Sequence, residues 1–250
     1  MIFGLAIGMS ICMGIIMLVA DQMTYDINNT KRDRIYRVVS VPFGADGLSQ
    51  SGNQYSTSPY PLRQELLENY TGIEKIVQLK RGFGNDWIEF DQNINIPLSG
   101  FFADPEVLDV FEYKLEYGDP ATALIEPYSV VLTKKASKKL FKEENPVGLT
   151  IKVGELGLYT VTGILEETTN KSHIVFEGLA SMASYKSLEA LGKVKEAGDW
   201  HNIRSTWNYL LLEKGKTVAD INPHLKKYST RRLPRSLILI FAKRRTRYSQ

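Results

Sequence analysis

Residues 128–141, YSVVLTKKASKKLF, change character halfway along. Ser129 to Leu132 read as extended, Thr133 is placed to cap a helix, and Ala136, Leu140 and Phe141 form the apolar side of a lysine-rich helical segment. A strand therefore feeds directly into a helix. ENPVG at 144–148 turns the chain into the strand LTIKV, and Gly154 to Gly157 read as a hairpin connection into LYTVTGILEE, where Tyr159, Val161 and Ile164 suit a half-buried strand.

The same alternation of signals continues outward. DRIYRVVSV at 33–41 reads as a strand stopped by Pro42, and GADGLSQSGNQYSTS at 44–58 as a loop. SPYPLRQELLENY predicts a helix with Ser58 as N-cap, Pro59 at its first position, Leu62, Leu66, Leu67 and Tyr70 on one face, and Gly72 ending it. IEKIVQLKR, DWIEF and INIPLSG predict three short strands, the last two forming a hairpin across Asp91-Gln92. Asp104-Pro105 and Asp119-Pro120 each predict a helix start. WNYLLLEKG at 207–215 reads as a strand, and Thr217 with Asp220 opens a last helix. Strands and helices without regular βαβ alternation, and without an internal repeat, argue an α+β fold.

The N-terminus differs from everything after it. Met1 to Ala20 contain no charged residue, Asn, Gln or Pro, and as a helix they span about 30 Å, the thickness of a bilayer's hydrocarbon core. No basic residue precedes the run and Leu18 occupies the position where a small residue would precede cleavage, which argues against a signal peptide. Cys12 lies mid-run, where a lipoprotein cysteine would not. Ile2 to Ala20 are therefore expected to be a transmembrane helix. Gly4, Gly8 and Cys12 recur every four residues and form a candidate helix-packing face, glycine tolerance in membrane helices being the plainer alternative. Cys12 is the only cysteine, so no intramolecular disulfide forms.

Composition is that of a folding domain: 43% hydrophobic and 24% charged residues. The net charge of +3 is unevenly spread. Seven basic residues and no acid follow Tyr228, so the first 228 residues carry −4. Such a tail suits an anionic membrane surface or nucleic acid, but it lacks the interleaved aromatics of nucleic-acid modules, and no nucleic-acid partner is expected.

Catalytic signatures are not found. His173, His201 and His224 are far apart, and Gly82-x-Gly84 leads to Trp87 instead of a third glycine. No Gly-x-Ser-x-Gly elbow or Walker lysine occurs. Glu143-Glu144 and Glu166-Glu167 read as solvated pairs beside turns, and Trp87, Trp200 and Trp207 as core anchors. The expectation is a non-enzyme without cofactor or metal.

Several segments, taken in order, resemble the MacB-like, FtsX-domain permeases of bacterial ABC transporters: GLAIGMSICMGIIMLVADQMTYD, RIYRV, FFADPEVLDVFEYKLEYGDPATAL, EPYSVVLTKKASKKLFKEENPVGLTI, YTVTGILEE, SHIVFEGLASM and WNYLLLEKG. The resemblance runs from about Gly4 to Lys227 and is most specific between Phe102 and Ile151. It implies a transmembrane helix at 1–20, a MacB-like periplasmic core domain, incomplete, at 21–228, and a basic tail outside the family pattern at 229–250. It further implies a bacterial inner-membrane location with the large domain outside the cytoplasm, a separate ABC ATPase, a permease dimer, membrane lipid and a periplasmic adaptor as partners, and a domain that transmits ATP-driven helix motion to export substrates or act on partners. A truncated or frame-shifted gene is the expected source of the tail. Lys31, Arg32, Arg34 and Arg37 after the span would by charge alone place the domain in the cytoplasm, opposite to the family. A stand-alone membrane-tethered binding or sensor domain is the alternative.

Overall fold

The computed structural model describes residues 2–23, 29–42, 54–90, 94–141, 145–167, 172–221, 225 and 237–243. Helix α1 (Ile2–Met23) comes first and is followed by a mixed α/β domain. Its strands are β1 (Ile35–Pro42), β2 (Ile73–Phe90), β3 (Ile94–Ala103), β4 (Leu115–Gly118), β5 (Ser129–Thr133), β6 (Thr150–Val153), β7 (Gly157–Leu165), β8 (Gly178–Ser181), β9 (Thr206–Leu212) and β10 (Leu237–Lys243). Helices α2 (Leu62–Asn69), α3 (Val107–Val110), α4 (Lys134–Leu140) and α5 (Met182–Ala190) lie between them.

The strands form one sheet in the order β10-β1-β9-β2-β3-β8-β5-β7-β4, with β6 pairing both β2 and β7. Among the described residues, only β3–β8 and β5–β7 are parallel pairs. Because β6 joins β7 to the far end of β2, the strands β2, β3, β8, β5, β7 and β6 close into a ring. Closure protects strand edges that an open sheet would expose. Phe83, Leu98, Phe102, Val130, Leu132, Tyr159 and Tyr185 pack in the core associated with this ring. Phe83 meets Phe102 and Tyr159 edge-on at 5.6 and 5.0 Å between ring centres, the geometry favoured by the ring quadrupole.

The sequence predicts two strands where β2 is one. Its register against β3 shifts between Arg81 and Phe83 and again between Gly84 and Trp87. These irregularities interrupt the two-residue alternation and let the strand bend from the open sheet into the ring. Gly84 has φ +71°, and a Cβ there would lie 2.1 Å from the Leu98 carbonyl oxygen, so only glycine permits the bend. The expected hairpin is present, with Phe90 opposite Ile94; the connecting residues 91–93 lie outside the described ones.

The open part of the sheet is covered on both faces. Val77, Leu79, Tyr209 and Leu211 pack with α3, whereas Ile76, Leu210 and Leu212 pack with Leu62 and Leu66 of α2 and with Ile221 and Leu225. This two-sided burial explains why β9 reads as a continuous apolar run.

Thr133 caps α4 as expected, its hydroxyl accepting from the Ala136 N–H at 3.2 Å. Two other predicted caps are overturned. Helix α2 begins after Pro61 without a side-chain cap, and the Ser58 hydroxyl instead accepts from Asn208 Nδ2 at 3.0 Å. Asp104 does not cap α3; its buried carboxylate accepts from the Gln78 N–H at 2.9 Å and pairs with Arg63 Nε at 2.7 Å. Leu67 is exposed, so the buried stripe of α2 is narrower than predicted. Asp119 forms a capped turn, accepting from Ala121 N–H and the Thr122 hydroxyl, without a helix beyond it. Thr217 and Asp220 make their expected contact at 2.8 Å, but most of the last helix and most of the 44–58 loop lie outside the described residues.

Candidate functional site

The predicted helix-packing face is open at Gly8 and Cys12. A Cβ at Gly8 would meet nothing within 4 Å, Cys12 is an exposed free thiol, and the backbone of Gly4 continues the same helix. The apolar side chains of Ile7, Ile11, Ile15 and Leu18 are each more than half exposed, as are those of Met9, Met13, Ile16, Met17 and Val19. Among the described residues no helix is long and apolar enough to cross a membrane; for α1 the described side chains run from Ile7 to Ala20. An apolar surface of this extent in water requires a covering.

Where the chain enters the domain after α1, residues 29–34 are fastened to three separate elements. Asn29 Nδ2 donates to the Val110 carbonyl at 3.0 Å, and the Asn29 side-chain oxygen accepts from the Lys31 N–H at 2.8 Å. The Glu112 carboxylate accepts from both the N–H and the hydroxyl of Thr30, the former at 2.8 Å. Lys31 Nζ reaches Asp109 Oδ1 at 2.7 Å, and Lys75 of β2 reaches Asp109 Oδ2 at the same distance. Hydrogen bonds from Lys31 and Lys75 hold the Asp109 carboxyl below the usual range, and the Asp109 partnership raises Lys75. Arg34 pairs with Glu74 and donates to the Leu212 carbonyl at 2.6 Å.

Glu112 carries φ +54°, one of two positive-φ non-glycine residues among those described. That conformation costs an L-residue roughly 1–2 kcal/mol and persists because the turn after α3 is held from both sides. Glu112 N–H donates to Asp109 O at 3.2 Å, and Tyr113 N–H to Leu108 O at 2.8 Å. The strained turn thus aims its carboxylate at Thr30.

A second polar group ties α2 to the sheet. Gln78 donates to the Tyr60 carbonyl and to Asn208 Oδ1, and Asn208 donates to Ser58 and to the Pro59 carbonyl. Burial pushes Asp104 up to about 6, against the opposing pull of Arg63. Lys80 is buried, donates to Ser205 Oγ at 3.0 Å and lies 4.8 Å from the centre of the Tyr185 ring; desolvation lowers its pKa.

The other candidates are dispersed. His173 Nε2 contacts the Tyr209 hydroxyl at 3.0 Å, His201 pairs with Asp199 at the surface, and His224 lies outside the described residues. Among the described residues no group of three or more His, Cys, Asp or Glu is placed to hold a metal ion. Trp200 and Trp207 pack against the two cores of the open sheet as expected of anchors, while the Trp87 side chain, Glu143 and Glu144 lie outside the described set. Glu166 and Glu167 are exposed. The acidic partners in the clamp at residues 29–34 were not legible beforehand, because Asp109 and Glu112 meet residues 78 to 82 positions away.

The fold has solved counterparts. A domain described as a permease protein from Porphyromonas gingivalis superposes with a TM-score of 0.69 at 16% identity, covering 86% of this chain and 92% of that one. The periplasmic region of MacB from Actinobacillus actinomycetemcomitans gives 0.56 at 12% identity over the same shares. The extracellular domain of the noncanonic ABC-type transporter YknZ from Gram-positive bacteria gives 0.54 at 12%, covering 82% and 99%. No curated protein matches the sequence. The family model of the MacB-like periplasmic core domain matches residues 1–228, and the chain belongs to that family.

Proposed function

We propose that the chain is the membrane-proximal part of an ABC transporter permease in which α1 spans the inner membrane and the domain passes helix motion to the extracytoplasmic side. The observation that carries this reading is the clamp at residues 29–34. A transmitter needs its lever fixed to the body it moves, and Asn29, Thr30, Lys31 and Arg34 are held by α3, the turn after it, β2 and β9. Force that reaches Asn29 is then delivered to the sheet instead of being absorbed by a hinge at Lys31. The exposed apolar surface of α1 supports a seat in lipid, with the Gly4, Gly8 and Cys12 face available to a second permease helix. ATP hydrolysis belongs to a separate ATPase, and a periplasmic adaptor or exported substrate would meet the domain.

The test uses the permease assembled with its ATPase. Replacing Asp109 with Ala while retaining Lys31 and Lys75 is expected to leave ATP hydrolysis largely intact and to reduce transport severalfold. Equal loss of both, or of neither, contradicts a coupling role for the clamp.

A further inference from the structure

At one end of the sheet two arginines lie on aromatic rings. Arg81 of β2 places its guanidinium carbon 5.3 Å from the centre of the Trp207 ring, and it faces Phe101 in the β2–β3 register. Phe101 meets Trp207 edge-on at 5.2 Å. Arg204 lies over Tyr55 at 5.2 Å and donates to the Tyr55 hydroxyl at 3.4 Å. The two pairs are linked through their neighbours in the chain. The Trp207 indole N–H donates to Ser56 Oγ at 3.3 Å, next to Tyr55, and the Arg81 N–H donates to the Ser205 carbonyl at 2.9 Å, next to Arg204.

This end lies opposite the clamp. Strand β9 begins with Thr206 facing Lys80 and ends at Leu212, whose carbonyl accepts from Arg34. The five-residue step from Trp207 to Leu212 therefore separates the arginine–aromatic surface from the clamp by about 17 Å of strand.

The charge here is unmatched. Lys31, Arg34 and Lys75 at the clamp each have a carboxylate, whereas Arg81 and Arg204 are exposed and neither is in an ion pair among the described residues. Trp207, Phe101 and Tyr55 are half-buried, so each ring keeps an accessible edge. A guanidinium held flat on a ring still offers N–H groups to a carboxylate, and its rotamer freedom is already restricted before a ligand arrives. Arg, Trp and Tyr are also the side chains that dominate protein–protein hot spots.

We propose that this surface docks an acidic segment of a partner protein, with Asp or Glu carboxylates on Arg81 and Arg204 and an apolar side chain against Trp207 and Phe101. The inference deepens the transmitter reading proposed above by naming a surface at which motion entering through the clamp is handed on. Two unmatched cations select an acidic partner over a neutral or basic one. They are too few for the basic groove with which single-strand binders track a nucleic-acid backbone.

The test measures fluorescence anisotropy of labelled peptides added to the full chain in a neutral detergent. An acidic peptide, GEEFEEFG, is expected to bind about fivefold or more tightly than its amide counterpart GQQFQQFG, and added salt should shrink the difference. The double change Arg81→Lys and Arg204→Lys keeps net charge but loses the planar stacking and bidentate geometry, and it should remove most of that preference. Trp207→Leu should weaken both peptides. Equal affinity for the two peptides overturns the proposal, as does a preference that survives the double lysine change, which would place the binding elsewhere. Arginine-dependent binding of single-stranded DNA tighter than that of the acidic peptide overturns it in favour of nucleic acid. The measurement needs no ATPase, so its failure leaves the coupling role of the clamp standing, and loss of that role would leave peptide binding unchanged.

Discussion

Lys31 and Asp109 meet at 2.7 Å across 78 residues of sequence, joining the entry of the domain to the end of α3. Lys75 binds the other oxygen of the same carboxylate, so the contact is a three-residue bridge and not an isolated surface pair. The Asp109 side chain is half exposed, which limits its value to stability.

Asp109→Asn is therefore expected to lower unfolding free energy by only about 0–1 kcal/mol. Its effect on transport should be far larger than that figure suggests. Urea denaturation beside a transport assay separates the two; a loss of several kcal/mol would recast the bridge as a folding element.

Asp104 makes a pH prediction of the opposite sign to that of the surface acids. Its folded pKa of about 6 lies above the ordinary carboxyl value, so between about pH 4 and 6 the folded chain binds the extra proton and stability from this group rises as pH falls. Asp109, Asp199 and Asp220 are held low, and their contributions are lost only as pH falls below the ordinary carboxyl range. Asp104→Asn should flatten the pH 4–6 portion of the stability profile, on the order of 2 kcal/mol in wild type. An unchanged profile would show that Arg63, not burial, dominates the site.

Gly84→Ala is expected to destabilise the domain by more than about 3 kcal/mol or to prevent folding, because a methyl group would collide with the Leu98 carbonyl and φ is +71°. Gly148→Ala is the control. Its φ is +94° but nothing lies within 4 Å of an added Cβ, so a cost of about 1–2 kcal/mol is expected from backbone strain alone. Similar thermal shifts for the two variants would contradict the close approach of β2 and β3 at the bend.

On α1, oxidation in membranes should produce a Cys12–Cys12 cross-linked dimer if the small-residue face packs against a second copy. Gly8→Leu, which fills the groove, should reduce cross-linking severalfold. Unchanged cross-linking would assign Gly4 and Gly8 no packing role.

Much of the domain was legible because local chemistry and final structure agree. Thr133 caps α4, Gly148 and Gly154 turn the chain, and the alternation of β7 holds from Leu158 to Val161, after which a register shift brings Ile164 into the same core as Tyr159 and Val161. Misreadings arose where distant partners recruited a local signal. Ser58 and Asp104 look like helix caps because each precedes a proline, but Asn208 and Arg63 claim their side chains. The register shifts hid the unity of β2. The tail at 229–250 reads as basic by its charges, although its apolar run at 236–242 has the length of an edge strand. Helix α5 had a usable signal that went unread, Ser181 ahead of Met182, Tyr185 and Leu188 at helical spacing. The clamp had none, since its geometry exists only after the sheet has formed.

The most direct test is topology. Val175 is 81% exposed and lies in the connection before β8, away from the packed cores. A Cys12→Ser, Val175→Cys chain in intact cells should react with a membrane-impermeant maleimide without lysis, as an extracytoplasmic domain requires. Labelling that appears only after the membrane is broken would place the domain in the cytoplasm and contradict the transmitter account.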